Sequence, residues 1–229
     1  MTPPAAARTP LDLVLMGPPG AGKGTQATRI ARERGLAHIA TGDMLRTAVR
    51  EGTDLGRRAD AIMKRGDLVP DELMIALIRE RLSRPDTASG FLLDGFPRTL
   101  PQAEALDAML AELGRAVRAV LIFELAPDLL VERISGRRVC RANEHPYHVV
   151  YDPPKREGIC DRDGSELYQR DDDRPEVVRA RYEKQWLGAA AEVRDAYRSR
   201  GLIVPIDAAG SFDEVHRQVL RAIDGLEAA

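Results

Sequence analysis

Short apolar runs alternate with helical patterns along most of this 229-residue chain. Runs typical of strands in a sheet covered on both faces lie at residues 11–16, 91–94, 119–123 and 202–206. Helical patterns follow at about residues 22–34, 101–113 and 127–134, and from Ser211 onward, where the spacing is that of a capping box. Strands separated by helices predict an α/β fold, a parallel sheet with helices on both faces.

Two stretches break this alternation. Residues 41–82 carry helical patterns with no convincing strand, which predicts a helical insertion. Residues 136–173 place short polar and aromatic pieces between prolines and glycines, which predicts a small, loop-rich β insertion. Residues 1–10 contain prolines but no apolar segment, so we expect a flexible tail rather than a secretory signal. The core domain then comprises residues 11–40, 83–135 and 174–229.

Composition and charge narrow the classes of protein further. Apolar residues make up 44% of the chain and charged residues 31%, which excludes collagen, low-complexity disorder and a disulfide-stapled mini-protein. The 34 Lys and Arg nearly balance the 36 Asp and Glu, so no overall positive charge favours nucleic acid or an anionic membrane. Two cysteines suit a reducing compartment, and no apolar run is long enough to span a membrane. We therefore expect a cytoplasmic protein.

The most informative segment is residues 17–25, Gly-Pro-Pro-Gly-Ala-Gly-Lys-Gly-Thr. It follows a predicted strand and opens a predicted helix, the context in which a glycine-rich loop with a lysine binds phosphate. Successive backbone N–H groups and the helix N-terminus can hold an anion, and Lys23 can reach the terminal phosphates. Gly24 stands where this motif usually has Ser or Thr, and Thr25 follows it. The alternative is an ordinary glycine-rich turn.

Residues 17–26 resemble the phosphate loop of adenylate kinases, in which Gly followed by Thr after the lysine is the usual variant. Further segments similar to this family, in the family's order, are residues 41–46, 66–70, 91–99, 136–138, 147–148, 153–155 and 169–172. The resemblance spans about residues 11–225 and indicates the long-lid bacterial type within the nucleoside monophosphate kinases. It implies a phosphate-loop NTPase core with a five-stranded parallel sheet, an AMP-binding insertion at 41–82 and a lid over ATP at 136–173.

The activity that the resemblance implies is reversible, Mg²⁺-dependent transfer of the terminal phosphoryl group of ATP to AMP, giving two ADP, in a monomer. Such a transfer needs two nucleotides in line, neutralised charge and exclusion of water. Arginine suits phosphate because its planar guanidinium donates paired hydrogen bonds and stays charged. The resemblance assigns catalytic roles to Lys23, Arg98, Arg137, Arg170 and Arg181. Asp94 ends a strand, and we interpret it as positioning the Mg²⁺ shell, the alternative being a turn-initiating aspartate.

The resemblance also assigns the two nucleotide sites. For ATP the residues are Gly20, Ala21, Gly22, Lys23, Gly24, Thr25, Arg133, Arg137, Pro146, Tyr147 and Gly210. For AMP they are Thr41, Arg46, Asp67, Leu68, Val69, Gly95, Phe96, Pro97, Arg98, Gln102, Arg170 and Arg181. The hydroxyl of Thr41 and the amide of Gln102 suit a purine edge, because each group can donate or accept a hydrogen bond.

The two cysteines carry a second hypothesis. In many bacterial adenylate kinases a pair of Cys-x-x-x knuckles in the lid holds zinc through four ligands. By that resemblance three ligands remain, Cys140, Cys160 and Asp163, and Asn143 stands at the fourth place, where an amide is a poor zinc ligand. Three interpretations stay open: a lost site held by packing, a weakened zinc site, and a Cys140–Cys160 disulfide. We expect zinc to be absent or weakly bound, and we expect polar packing or a surface position for the four histidines.

Other functions compete with phosphoryl transfer to AMP. A kinase for UMP or CMP is disfavoured by the long lid and by Thr41 with Gln102, whereas the choice between ATP and GTP as donor stays open. A phosphate-loop binding module without turnover would not need several groups directed at a moving phosphoryl group. A nucleic-acid-binding protein is disfavoured by the near-zero net charge.

Overall fold

Eight strands and nine α-helices succeed one another in residues 9–228, the part of the chain that the computed structural model describes. The strands are β1 (Leu11–Met16), β2 (Ala37–Ala40), β3 (Gly90–Asp94), β4 (Ala119–Glu124), β5 (Arg137–Cys140), β6 (Pro146–His148), β7 (Leu167–Tyr168) and β8 (Ile203–Asp207). The helices are α1 (Lys23–Arg34), α2 (Thr41–Arg50), α3 (Asp54–Lys64), α4 (Asp71–Leu82), α5 (Leu100–Glu112), α6 (Pro127–Ser135), α7 (Pro175–Arg181), α8 (Ala190–Ser199) and α9 (Phe212–Ala228). A π-helix, Tyr182–Ala189, joins α7 to α8.

Five strands form one parallel sheet in the order β2-β3-β1-β4-β8. This confirms the predicted α/β class and the five-stranded sheet. Strand β2 is the one that the apolar pattern did not reveal, because Ala-His-Ile-Ala is short and only Ile39 is β-branched. Pairing with β3, in the register Ile39 to Leu93, fixes its extended conformation.

Two hydrophobic cores cover the faces of this sheet. Because side chains alternate along a strand, Leu13 and Leu15 pack on α1 and α9, whereas Val14 and Met16 pack on the opposite side with α4, α5 and α8. All six residues of β1 are buried, as is usual for a parallel strand between two helical layers. The packed sheet therefore fixes the positions of the strand ends, where the candidate site residues lie.

The two stretches that interrupt the alternation adopt different structures. Residues 41–82 form helices α2, α3 and α4, and Met74, Ile78 and Leu82 of α4 join the hydrophobic core. Residues 136–173 contain an antiparallel sheet in the order β6-β5-β7, with a small core of Cys140, Tyr147, Cys160 and Leu167.

Almost all of the predicted tail, residues 1–8 of 1–10, lies outside the described residues. Within residues 9–228 no helix is long and apolar enough to cross a membrane.

Candidate active site

The glycine-rich loop lies between the end of β1 and the start of α1. Gly20 and Gly22 both have φ of +84°, a left-handed conformation that side chains rarely adopt. A Cβ at Gly20 would also approach Ile134 Cγ1 to 2.8 Å. No side chain caps the described N-terminus of α1, so its first N–H groups remain free for an anion.

Lys23 is the first residue of α1, and its side chain turns back over the loop. Its Nζ donates hydrogen bonds to the carbonyl oxygens of Gly17 at 2.8 Å and Pro18 at 2.9 Å. Desolvation lowers the pKa of Lys23 to about 8, opposed by the charge of Asp94 and reinforced by Arg98, Arg181 and Arg137. A phosphate group placed here would restore the charged form of the lysine.

Asp94 ends β3, which lies beside β1, so its carboxylate faces the glycine-rich loop. A Cβ built on Gly24 would stand 3.3 Å from Asp94 Oδ2. A side chain at position 24 would therefore crowd the carboxylate, which gives a physical reason for the unusual glycine after the lysine. Thr25 lies one residue further along α1 and is exposed.

Two clefts open at the carboxyl end of the sheet. One, of about 520 Å³, is lined mainly by residues predicted for AMP: Thr41, Arg46, Asp67, Leu68, Val69, Gly95, Arg98, Gln102 and Arg181. The other, of about 480 Å³, is lined by Gly17, Pro19, Lys23, Gly95, Phe96, Pro97, Arg98, Arg181, Gln185 and Trp186, among others. Gly95, Arg98, Arg181 and Gln185 line both clefts, so the two meet at a pair of arginines.

Arg98 lies at the junction of the clefts with its guanidinium held from two sides. Its Nε donates to the carbonyl of Gly95 at 2.7 Å and its Nη1 donates to Gln185 Oε1 at 2.6 Å. Burial lowers the pKa of Arg98. Gly95 has φ of +86°, and a Cβ there would lie 2.9 Å from Arg98 Nη2 and 2.6 Å from Thr41 Oγ1. Glycine is thus required where the two polar groups converge.

Gln102 and Thr41 occupy the first cleft with part of their hydrogen-bonding capacity already used. Gln102 Oε1 accepts from the backbone N–H of Arg98 at 2.8 Å, and its Nε2 donates to Asp71 Oδ1 at 2.7 Å. The Thr41 hydroxyl donates to the carbonyl of Asp94 at 3.2 Å. Each side chain is 1% exposed, so the orientation of both groups is fixed by the protein before any ligand enters.

Arg137 and Arg181 are each paired with an acid from residues 171–173. Arg137 Nε donates to Asp173 Oδ2 at 2.8 Å, and the Asp173 side chain is fully buried. Arg181 Nη1 donates to Asp172 Oδ2 at 3.0 Å, and burial lowers the pKa of Arg181 to about 10. The charges of both arginines help to lower the pKa of Lys23. The three predicted catalytic cations Lys23, Arg137 and Arg181 are therefore near enough to one another to interact.

Arg170 and Arg46 lie where the 136–173 segment meets α2. Arg170 Nη2 donates to Asp43 Oδ1 at 2.9 Å and to Glu144 Oε2 at 2.7 Å, whereas Arg46 pairs with the same Asp43. Glu144 has φ of +56°, the one non-glycine left-handed residue in the described chain. Its Oε1 also stands 3.6 Å from Arg50 Nη1 of α2. These ion pairs hold the small sheet against the helices of residues 41–82.

Arg133 and Gly210, both predicted for ATP, contact each other. Arg133 Nη1 donates to the carbonyl of Ala208 at 2.7 Å, and its Nη2 donates to Ala209 at 3.1 Å and Gly210 at 3.4 Å. The side chain of Tyr147, by contrast, packs inside the small sheet, and its hydroxyl contacts Cys160 Sγ at 3.4 Å. Tyr147 can therefore offer a ligand only its backbone, whereas Pro146 is exposed.

The cysteine cluster differs from the expectation in its fourth member. Cys140, His145, Cys160 and Asp163 place one ligand atom each within 4.8 Å of one another, whereas Asn143 Nδ2 donates to Asp163 Oδ2 at 2.8 Å from outside the group. His145 was not predicted as a possible ligand, and it joins the three predicted ligands Cys140, Cys160 and Asp163 in this group. The turn after β5 brings the imidazole inward: His145 Nδ1 lies 3.3 Å from Cys160 Sγ.

The chemistry of these four donors fits zinc. Tetrahedral zinc with bonds of about 2.3 Å to sulfur and 2.0 Å to nitrogen keeps its ligand atoms roughly 3.6 Å apart. Two of the separations are close to that, since Cys140 Sγ to Asp163 Oδ2 is 3.2 Å and His145 Nδ1 to Asp163 Oδ2 is 3.3 Å, and all of them are within 4.8 Å. Both cysteines are free and buried, so no disulfide joins them. The hydrogen bond from Asn143 lowers the pKa of Asp163 and keeps it an anion.

Two residues of the site were not predicted from the sequence: Gln185, which lines both clefts, and Glu144, which pairs with Arg170. Their partners are 87 and 26 residues away along the chain, so no local pattern marks them. For His145 a signal existed, the spacing Cys140-x-x-x-x-His145. The other histidines take part in polar packing: the ring of buried His216, for example, bonds Gln26 Oε1 at 3.0 Å and Glu33 Oε2 at 2.9 Å.

A strand, a glycine-rich loop with its lysine and a helix N-terminus, at the carboxyl end of a parallel sheet, define a phosphate-loop nucleotide-binding core. A family model described as adenylate kinase matches residues 15–202. The adenylate kinase of Carboxydothermus hydrogenoformans is 51% identical over 216 residues, which cover 93% of this chain and 99% of that protein. That of Streptomyces coelicolor is 51% identical over 214 residues, covering 93% and 98%. The chain therefore belongs to the adenylate kinase family and is a phosphotransferase of the nucleoside monophosphate kinase class.

Proposed function

We propose that the protein transfers the terminal phosphoryl group of magnesium-bound ATP to AMP, reversibly, giving two ADP. The observation that carries this proposal is the meeting of two clefts at Arg98 and Arg181, one reaching the phosphate loop and the other enclosed by α2, α4 and the end of β3. Two nucleotides bound there would direct their phosphates at each other. The names of the relatives, all adenylate kinases, support the same reaction.

The donor nucleotide would bind through the phosphate loop. Backbone N–H groups of residues 20–25 and the start of α1 would hold its phosphates, with Lys23 on the terminal one. Lys23 would exchange its two loop carbonyls for phosphate oxygens, a change that desolvation of its ammonium group favours. Arg137 would reach the same phosphates from the lid, residues 136–173, and the Arg133–Gly210 junction would border the base.

The acceptor would bind in the first cleft. Arg46 and Arg98 would clamp the AMP phosphate, since both lie on that cleft and both donate in pairs. Thr41, Gln102 and the backbone of residues 67–69 would border the adenine. The fixed orientation of the Gln102 amide supports selectivity for one purine edge, because a buried amide left unpaired would be costly.

The reaction would need positioning and charge neutralisation more than covalent help. Magnesium enters with the donor as part of the substrate and would neutralise charge on the transferring group. Asp94, beside Gly24, would orient the magnesium shell. Arg170 and Arg181 would face the transferring group when the lid is closed, and the ion pairs from Arg170 to Asp43 and Glu144 support a closed lid that excludes water.

A coupled assay of ADP formation tests this function. ATP and GTP as donors are crossed with AMP, GMP, CMP and UMP as acceptors, with and without Mg²⁺. The proposal expects the highest kcat/KM for ATP with AMP and dependence on Mg²⁺. Faster turnover of any other acceptor would refute it, and faster use of GTP would correct the donor. The cytoplasmic location and the monomeric state stay predictions.

We also propose that the lid holds a zinc ion through Cys140, His145, Cys160 and Asp163. Four protein ligands make a closed site, which stabilises a fold and leaves no open position for chemistry. The support is the donor set and its spacing, and the small apolar core of the lid, which otherwise has few buried residues. Zinc would act at a distance from the transferring phosphoryl group, by fixing the two knuckles on which the lid is built.

Metal analysis of protein purified without chelator tests the zinc site, with two variants of neighbouring residues. We expect one zinc per chain in the wild type and in Asn143→Ala, and loss of zinc with a lowered Tm in His145→Ala. Asn143 is the matched control because it contacts Asp163 from outside the cluster. A wild type without zinc, or zinc retained in His145→Ala, would contradict the proposal.

A further inference from the structure

Gln185 lies on the π-helix at the junction of the two clefts, and no motif in the sequence marks it. Its side chain amide bridges two parts of the molecule. Its Oε1 accepts from Arg98 Nη1 at 2.6 Å, and its Nε2 donates to the carbonyl of Gly66 at 2.7 Å. Gln185 is 9% exposed, and its hydrogen bond to Gly66 is buried whereas the one to Arg98 is part-buried.

The guanidinium of Arg98 is oriented by two fixed points. A guanidinium has five N–H donors in one plane. The Gly95 carbonyl accepts from Nε and Gln185 accepts from Nη1, on different sides of the group. Two acceptors define the plane, and three N–H groups have no hydrogen-bond partner among the described residues. With Gln185 removed, Arg98 would keep only the Gly95 contact and could rotate about Nε.

Gly66 ends the turn after α3, within the predicted AMP-binding insertion. Its φ is +72°, and a Cβ at this position would come within 3.0 Å of Arg181 Cγ and 3.2 Å of Val177 Cγ1. The turn therefore packs directly on α7. This close approach brings the Gly66 carbonyl within hydrogen-bonding distance of Gln185 Nε2. The second hydrogen bond of Gln185 therefore depends on how the turn packs against α7.

We propose that Gln185 is a positioning residue for the acceptor phosphate: it sets the plane of the Arg98 guanidinium and couples that plane to the packing of the Gly66 turn. The inference rests on the proposed function, since it concerns how Arg98 meets AMP. When the insertion is packed against the π-helix, Gln185 is held by Gly66 and holds Arg98. When the insertion moves away, Arg98 loses one of its two fixed points.

The π-helix provides the matched control. Lys184, the preceding residue, also links the π-helix to the turn after α3, through a hydrogen-bonded ion pair of 2.8 Å with Asp67. This pair is largely exposed and does not contact Arg98. Gln185→Met keeps the length of the side chain and removes both hydrogen bonds, whereas Lys184→Met removes a connection between the same two segments and leaves Arg98 untouched.

The variants are compared with wild type by steady-state kinetics and by calorimetric titration of AMP alone. We expect Gln185→Met to raise the KM and the Kd for AMP about tenfold or more, with the KM for ATP within about twofold of wild type. Lys184→Met should change each constant by less than about twofold. If Gln185→Met does not fold, Gln185→Asn, which is too short to bridge both partners, replaces it.

A double-mutant cycle shows whether the effect passes through Arg98. In an Arg98→Lys background, where no guanidinium plane exists, the Gln185 substitution should weaken AMP binding by less than about twofold. An unchanged KM for AMP in Gln185→Met, equal effects on ATP and AMP, or the same loss in the Arg98→Lys background would each overturn the inference. Wild-type turnover of AMP, measured first, tests the proposed function separately.

Discussion

Lys23 allows the phosphate loop to be tested through pH. Desolvation lowers its pKa from 10.5 to about 8 in the folded protein. The unfolded chain therefore binds more protons than the folded one between about pH 8 and 10.5, so stability rises with pH across this window. Below the window the contribution of Lys23 to stability does not change with pH. The pKa difference corresponds to about 3 kcal/mol. Urea unfolding compares wild type with Lys23→Met at both ends of this pH window. From the lower to the upper end, the free energy of unfolding of the wild type should rise by about 3 kcal/mol relative to that of the variant.

Activity should change in the opposite direction. The ammonium group must be charged to neutralise phosphate, so kcat/KM for ATP, which reports the free enzyme, should fall as pH rises above about 8. The fall in kcat should begin at higher pH, because bound triphosphate raises the pKa of the lysine. Lys23→Met should fold and lose at least about 10²-fold in kcat. A kcat/KM that stays level to pH 10, or near-normal turnover by Lys23→Met, would refute the reasoning.

Three further substitutions test separate parts of the molecule. Arg98→Ala should lower kcat/KM for AMP by about 10²–10⁴-fold in the coupled assay, and a loss confined to ATP would mean that the two nucleotide sites are exchanged. Asp12→Ala should lower the free energy of unfolding in urea by about 3–5 kcal/mol, because Asp12 is 1% exposed and pairs with Arg115. A change under about 1 kcal/mol would count against a buried pair. Gly136→Ala should raise the KM for ATP more than the KM for AMP, since a Cβ would stand 2.3 Å from His148 and displace the lid; equal changes would contradict this.

The sheet was largely predictable because strands β1, β3, β4 and β8 all coincide with continuous apolar runs of the sequence. Strand β2 was not, since four residues with one β-branched side chain are extended only because β3 pairs with them. The π-helix has no sequence signal either. Residues 182–189 carry no predicted element in the sequence analysis, and the structure gives them i→i+5 hydrogen bonds.

The candidate site also contains residues that the sequence predicts and residues that it does not. The glycine-rich loop is local, so its spacing alone predicts the geometry around Lys23. Arginines such as Arg98 were found through motifs, but their partners were not: Gln185 and Glu144 act over distances that only the folded chain closes. His145 was missed because the pattern of paired Cys-x-x-x knuckles points to Asn143, whereas the turn after β5 directs the imidazole of His145 toward Cys160.

The central claim is that donor and acceptor occupy the two clefts together and that the phosphoryl group passes directly between them. Initial velocities measured with ATP and AMP varied independently test this most directly. Direct transfer within a ternary complex predicts double-reciprocal lines that intersect. Parallel lines, the pattern of a phosphorylated enzyme that releases the first product before the second substrate binds, would contradict the claim.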